Sequence, residues 1–323
     1  MERFNEDLVL TTSQAAELLS VHPSTIKRWC NDDELRSEKT DGGHRRIHLD
    51  DVLTAASERE ISTYLDPFAP YQAHVFSAVL EAEDSGEFHR VHSLAMGWLS
   101  RGHLKRVGWL YQELGRRPGI PFPAFCDEGV RGLLEQIGLA WQEGRLRVGE
   151  EHLVTQTLME ALLHLRAGAH LGAAPLLDAD LPAGRVGTAV VGSMEGNQHH
   201  LGGLCVRLVL ERFGWRVLYL GPDVPVEDFA TLQRSRGAQL VCVSFASPAI
   251  QADVNRCVRI LAEFYSRAHP YSLALGGGAI MDPTVSFGTT PFSEVGVFPS
   301  IRSLVDGLED GFAATSEMAE MRI

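Results

Sequence analysis

The chain has 323 residues, 45% of them hydrophobic and 22% charged, and carries a formal net charge of −13. At roughly 150 residues per domain, this length predicts two or three domains with enough apolar material for real cores, and the ordinary charged fraction argues against wholesale disorder. The acidic balance excludes a uniformly basic nucleic-acid binder but not a small DNA-reading domain with local positive charge. No uncharged apolar stretch reaches the ~18 residues of a membrane span, and the opening MERFNEDLVLTTSQ lacks the basic and apolar regions of a signal peptide. The five cysteines, Cys30, Cys126, Cys205, Cys242 and Cys257, form no CxxC pair. That pattern predicts a reduced, cytoplasmic protein with no disulfide frame and no cysteine-zinc site.

Three composition regimes follow one another: a mixed segment over 1–65, a helical Leu-, Ala- and Glu-rich segment over 70–175, and a segment over 183–313 that alternates Val-rich strands with helices. Loop signals at Tyr64–Pro70 and Ala174–Gly184 separate them, and the residues from Ala313 onward read as a frayed tail. In the first segment Thr12 is a plausible cap for a helix through Ala15, Leu18 and Leu19. Val21-His22-Pro23 breaks it, and Ser24 can cap a second helix containing Ile26 and Trp29. Two short helices joined by a tight turn form a helix-turn-helix unit. Its second helix presents Ser24, Thr25, Lys27 and Arg28 outward. Asp41-Gly42-Gly43 between two strand-like runs marks a hairpin whose tip carries His44, Arg45 and Arg46, suited to phosphate contacts. Asp50-Asp51-Val52 can open one more helix.

This stretch resembles the DNA-binding domain of MerR-type regulators, on the residues LTTSQAAELLSVHPSTIKRW, the wing GGHRRI and the following LDDV. The resemblance implies a winged helix-turn-helix that binds double-stranded DNA as a dimer or larger homo-oligomer.

In the middle segment, residues 123–143 read as one helix with Phe125, Val130, Leu133, Leu134, Ile137, Leu139, Ala140 and Trp141 as its apolar positions, stopped by Gly144. Another helix begins at Glu150-Glu151-His152 and runs through Leu158, Leu162 and Leu165. Taken singly, Trp141 reads as core, Glu151 as an ordinary charge at a helix N-terminus and His152 as solvated. Farther on, strands are expected at Val186–Val191, Trp215–Leu220, Leu240–Ser244, Ser272–Leu275 and Glu294–Phe298. Helices are expected near 201–213, 226–236, 248–267, 279–287 and 300–312. Five βα units of this length predict a doubly wound parallel sheet, with ligands bound beyond the C-terminal strand ends at the topological switch point. The loop after the first of these strands, Gly192 to Gly202, places histidines there.

Asn197-Gln198-His199-His200-Leu201-Gly202 resembles the D-x-H-x-x-G motif of cobalamin-binding domains. Ser244-Phe245-Ala246 and Gly276-Gly277-Gly278 match that family's later motif positions, and RVLYLGPDVP (216–225) resembles its second strand and turn. The resemblance implies that His199 is the lower axial ligand of cobalt, and that Asn197, Gly202, Ser244, Ala246, Gly276 and Gly277 contact the cofactor. The nucleotide tail would run between these loops, where a Cβ on the glycines would obstruct it. Asn197 stands where an acidic residue is usual, and Ala246 is smaller than its usual counterpart.

Trp141-x9-Glu151-His152 ahead of such a domain is similar to the helical bundle of the CarH-like regulators, MerR-type light receptors that depend on adenosylcobalamin. With the DNA-binding segment, the resemblance covers nearly the whole chain in the same order. It implies a central four-helix bundle in which Trp141 covers the upper face of the corrin and Glu151 and His152 reach the adenosyl ribose, with Val148 beside them. An aromatic lid keeps solvent from the cobalt–carbon bond, and a carboxylate with an imidazole can hydrogen-bond a diol. Gln142 follows Trp141 where the family often has a histidine, and a carboxamide is a poorer cobalt ligand than an imidazole. The expected function is therefore a cytoplasmic, light-responsive transcriptional repressor, not an enzyme. The alternatives are a corrinoid protein that shuttles methyl groups, which the DNA-binding segment argues against, and a MerR-type regulator answering to another ligand or pigment.

Overall fold

Thr11, one residue before the expected Thr12, starts the first helix. Its hydroxyl accepts from the Gln14 N–H at 3.2 Å while the Gln14 side chain accepts from the Thr11 N–H at 2.9 Å, a reciprocal capping box. In this computed structural model, which describes residues 8–170, 186–246, 249–280 and 287–313, strand β1 (Val9–Leu10) leads into helix α1 (Thr12–Leu18) and then α2 (Pro23–Asn31). The cap of α2 is His22, not Ser24: its Nδ1 accepts from the Ser24 N–H at 3.2 Å, and Pro23 occupies the first helical position, where its missing N–H costs nothing. Ala15, Leu18, Leu19, Ile26 and Trp29 are all buried, as their spacing predicts. The hairpin consists of β2 (Glu38–Lys39) and β3 (Arg45–His48), and β1 adds to it in the order β1-β3-β2. Helix α3 (Leu49–Glu58) follows, with Asp50 and Asp51 in its first turn.

The helical segment divides. Helices α4 (Gln72–Ser85), α5 (His89–Leu99) and α6 (Leu104–Leu114) come first, and the chain separates into two compact units between Glu113 and Leu114. In the first unit, the fully buried Trp98 stacks on Phe68 with ring centroids 5.8 Å apart and meets the edge of Tyr71 at 6.0 Å.

The second unit begins with α7 (Phe122–Ala124) and continues, after a π-helical stretch at Phe125–Arg131, into α8 (Gly132–Gln142). The single regular helix expected over 123–143 is thus interrupted by wider turns, which seat the buried Asp127. Its two carboxylate oxygens accept from the N–H groups of Ile301 and Arg302, each at 2.9 Å. Gly144, at φ +70°, ends α8 as expected, and α9 (Val148–His170) starts two residues earlier than its acidic run suggests.

The rest of this unit is a five-stranded parallel sheet. Its elements are β4 (Thr188–Met194), α10 (Leu201–Arg212), β5 (Arg216–Val224), α11 (Val226–Arg236), β6 (Leu240–Ser244), α12 (Gln251–Glu263), β7 (Ser272–Gly276), β8 (Val295–Phe298) and α13 (Ile301–Glu309). The strand order β5-β4-β6-β7-β8 is doubly wound, with its switch point between β4 and β6. Helices α11 and α12 bury Phe229, Val254 and Leu261 against Val241, Val243 and Leu273. The weak helix expected near 279–287 is absent among its described residues, and 281–286, the junction 174–184 and the tail beyond Ala313 lie largely outside them. Helix α9 is tied to α10 through Glu211, which takes Arg166 Nε at 2.7 Å and Arg207 Nε at 3.0 Å. Burial works to raise the Glu211 carboxyl, but these two arginines outweigh it and hold it below 4.5. No described helix is long and apolar enough to cross a membrane.

Candidate functional site

The parallel register aligns Ser193 of β4 with Ser244 of β6, and Ser244 with Gly276 of β7. These three residues form a row at the C-terminal strand ends, across the switch point. Out of this row rises the loop that carries His199. The Ser193 hydroxyl donates to the His199 carbonyl at 3.1 Å, and the Tyr219 hydroxyl, on β5, donates to the His200 carbonyl at 2.9 Å. Burial raises the Tyr219 phenol to about 12, so it stays a neutral donor. The His199 N–H donates to Asn197 Oδ1 at 3.0 Å. Asn197 therefore holds the backbone of the loop. Its Nδ2 is buried without a partner among the described residues.

The two histidines are not equivalent. His199 is exposed, and its ring makes no hydrogen bond among the described residues. His200 is half-buried at the cap of α10, with Nδ1 3.3 Å from the Gln198 carbonyl and Nε2 buried. The ring offered outward is therefore that of His199. Among the described residues no three His, Cys, Asp or Glu side chains gather as a metal cage. A lone imidazole cannot hold a bare ion, but it can complete the coordination of one already chelated by a macrocycle. The five cysteines are buried, and burial raises the Cys126, Cys242 and Cys257 thiols, so these three stay protonated.

Glycines 276 and 277 are required by the packing of the protein itself. A Cβ on Gly276 would collide with the Phe298 carbonyl oxygen, and one on Gly277, at φ +107°, with that of Phe245. The protein's own backbone requires both. Gly202 is looser: a Cβ there would stand 3.4 Å from Ser244 Oγ, an ordinary contact. Ser244 and Ala246 are half-buried at the strand end.

On the helical side, Trp141 is 49% exposed, where core burial was its plainest reading, and Leu139, Val148 and Leu153 are 56%, 52% and 54% exposed. Such large apolar side chains left open on adjoining helices are the informative kind of exposure. Beside them the Glu151 carboxylate accepts from the Thr155 hydroxyl at 2.9 Å and lies 3.4 Å from His152 Nε2, while His152 is largely in solvent.

In the first unit Ser24, Lys27 and Arg28 are exposed on α2 and Thr25 is half-buried. On the wing, His44 and Arg46 are exposed, but Arg45 folds back to donate to Asn31 Oδ1 at the end of α2. Arg45 braces the wing against the helix, while Arg46 is exposed with no side-chain partner among the described residues. Arg59, which sequence reasoning did not single out, lies 4.5 Å over the Trp29 ring and pairs with Glu34 at 3.0 Å. Asp223, Ser193, Tyr219 and Asp127 were also missed. A Gly-Pro-Asp run at the end of the second expected strand was the available signal, and it marks the bulge that carries Asp223.

The chain is thus a helix-turn-helix protein joined to a helical segment and a doubly wound α/β domain. A helix-turn-helix domain model matches residues 9–60. The chain is 38% identical over 159 residues, 49% of this chain and 48% of the other, to the HTH-type transcriptional repressor CarH of Myxococcus xanthus. It is 28% identical over 131 residues, 40% of this chain and 56% of the other, to dimethylamine corrinoid protein 3 of Methanosarcina acetivorans. It spans about half the length of these curated relatives. Among solved structures, the monomethylamine corrinoid protein of Methanosarcina barkeri superposes with a TM-score of 0.50 at 16% identity, covering 67% of this chain and 96% of the other. The α/β domain and adjoining helices therefore have a corrinoid-protein fold, and the likeness to CarH-like regulators read from the sequence holds.

Proposed function

We propose that this chain is a DNA-binding transcriptional repressor whose assembly on its operator is governed by adenosylcobalamin and by light. The observation that carries this reading is His199: an exposed imidazole whose ring makes no hydrogen bond among the described residues, on a loop pinned by Ser193 and Asn197 at the switch point of a corrinoid-type sheet. Residues 183–313 would hold the cofactor, with His199 below the cobalt and Asn197, Gly202, Ser244, Ala246, Gly276 and Gly277 along the strand ends. Helices α8 and α9 would supply the cover. Trp141, Leu139, Val148 and Leu153 offer apolar surface for the upper face, and Glu151 with His152 offers an acceptor and a donor suited to a ribose diol. A cover this large fits an adenosyl group better than a methyl group. When bound, the cofactor supplies a cobalt–carbon bond that visible light breaks. A ligand can shift an assembly equilibrium only through differential affinity for its two states, and Trp141, Glu151 and His152 are the residues whose contacts depend on the adenosyl group.

Residues 1–65 would read double-stranded DNA, with Ser24, Thr25, Lys27 and Arg28 in the major groove, His44 and Arg46 along the backbone, and Arg45, expected there from the sequence, bracing the wing through Asn31 instead. Paired half-sites call for a homo-oligomer, a dimer or a tetramer. No catalytic role is assigned, and the setting is cytoplasmic. The likeness to dimethylamine corrinoid proteins favours a second reading, a methyl carrier, against which the helix-turn-helix segment counts. Absorbance after incubation with adenosylcobalamin in darkness, followed by green light and an operator gel shift, tests the proposal. Uptake with an imidazole-ligated spectrum, and DNA retained in the dark but released in light, are expected. Failure to take up cobalamin removes the reading. Uptake without DNA binding selects the methyl carrier.

A further inference from the structure

We propose that Asp223 is a positioning residue for His199, a role that rests on the reading of His199 as a cobalt ligand. Three residues, Gly196, Asn197 and Gln198, lie between Glu195 and His199, and Asp223 bonds all three. One carboxylate oxygen accepts from the Gly196 N–H at 2.8 Å, and the other accepts from Gln198 Nε2 at 2.9 Å. The N–H of Asp223 donates to the Asn197 carbonyl at 3.0 Å. Glu195 is fixed separately, accepting from the Val226 N–H at 3.0 Å and pairing with Arg256.

The chain distorts itself to put Asp223 there. Gly192 of β4 pairs with Gly221 of β5 and Met194 with Val224, so two steps along β4 face three along β5. The extra residue makes a bulge, a device that re-aims a side chain beside a site. Asp223 sits in it at φ +58°, a left-handed conformation that a non-glycine residue adopts only at a cost. Exposed hydrogen bonds of this kind add little to global stability. Their effect is local, since they hold a surface loop in one conformation before any ligand arrives. An axial ligand must meet its metal along the lone pair of one ring nitrogen, and sites of this precision depend on the residues that support them.

The test compares Asp223→Gly with Asp223→Asn in the full chain. Glycine takes φ +58° without strain, so that variant removes the side chain and its hydrogen bonds without opposing the bulge. Asparagine tolerates the same backbone and keeps an acceptor for Gly196, while the Gln198 amide can turn over to meet its NH2. In the cofactor-free protein, Asp223→Gly should leave the thermal midpoint unchanged and speed hydrogen exchange at the Gly196 and His199 amides about tenfold. It should bind adenosylcobalamin about tenfold more weakly, with a share of the spectrum lacking an imidazole ligand, while Asp223→Asn stays within about twofold of wild type. Unchanged exchange, or wild-type affinity and spectrum in the glycine variant, overturns the proposal. A wild-type chain that takes up no cobalamin overturns the reading of His199, and exchange in the cofactor-free chain then decides by itself whether Asp223 pins the loop.

Discussion

Asp127→Ala is the most demanding perturbation of the helical segment. The carboxylate is 6% exposed and caps the first two N–H groups of α13 at 2.9 Å each, while Ser300 Oγ accepts the third, from Ser303, at 3.0 Å. A hydrogen bond to a charged group is worth about 1.5–3 kcal/mol, and a negative charge at a helix N-terminus adds about 0.3–1 kcal/mol. The two bonds and the helix-end charge act through one carboxylate and are not additive, which leaves a net loss of about 2–4 kcal/mol in the alanine variant. At roughly 1.4 kcal/mol per factor of ten, the Ile301 and Arg302 amides should exchange about 30- to 1,000-fold faster, with a lower unfolding midpoint. Asp127→Asn keeps one acceptor and should lose about half as much. Arg302→Ala is the control: its guanidinium lies 3.8 Å from Glu128 with both side chains about half exposed, a pair that contributes little. Unchanged exchange at Ile301 and Arg302 in Asp127→Ala would refute the assignment of the carboxylate as the cap that joins helices to sheet.

Four further outcomes are expected. His199→Ala should abolish the imidazole-ligated cobalamin spectrum and His200→Ala should keep it; the reverse pattern would move the ligand to His200. On operator DNA, Arg46→Ala should weaken binding across sequences and flatten the salt dependence by about one phosphate contact, whereas Arg45→Ala should act through a loosened wing, seen as faster exchange at the hairpin amides. An equal change of salt slope for both would show Arg45 to be a phosphate contact too. The Glu211 carboxyl is lowered in the folded chain, so its tie between α9 and α10 is fully present above 4.5 and lost as the pH falls below it. Glu211→Gln should flatten that acid limb of stability, and an unchanged limb would exclude Glu211 as its source. In illuminated, cobalamin-loaded protein, Gln142→His should remove a pH dependence of the absorption spectrum that wild type shows; a pH-independent wild type would refute the role given to Gln142.

The α/β half was legible because parallel strands buried on both faces appear as short β-branched runs, and Leu240–Ser244 and 226–236 fall where the sequence puts them. The helix-turn-helix was legible from its break at Val21-His22-Pro23. Its caps were each misplaced because Thr11 and Thr12 compete for the same role, and because an imidazole cap at His22 does what a hydroxyl was expected to do. The π stretch had no local signature: Phe125–Arg131 reads as an amphipathic α-helix, and its wider turns belong with a carboxylate bonded to α13, about 170 residues away, with Asp127 and Ile301 separated by 174 positions. His199 could be singled out because a motif surrounds it. Asp223 had only the Gly221-Pro222-Asp223 run to mark it, because what distinguishes it is a register shift between two strands, which exists only after they pair.

The π stretch also fixes a phase. Downstream of it, Leu133, Ile137 and Ala140 of α8 face the core, while Leu139 and Trp141 stand open to solvent. Upstream, Phe122 and Ala124 are buried, and within it Asp127 is committed to α13. Each residue advances an α-helix by about 100°, so a chain one residue shorter between 125 and 131 could not satisfy both ends. Keeping Leu133 and Ile137 inward would turn Asp127 off its cap. Keeping the cap would roll Trp141 about a quarter-turn around the helix. The wide turns act as a spacer between two clocks, and a one-residue deletion there should separate the anchoring of the helices from the direction in which Trp141 points.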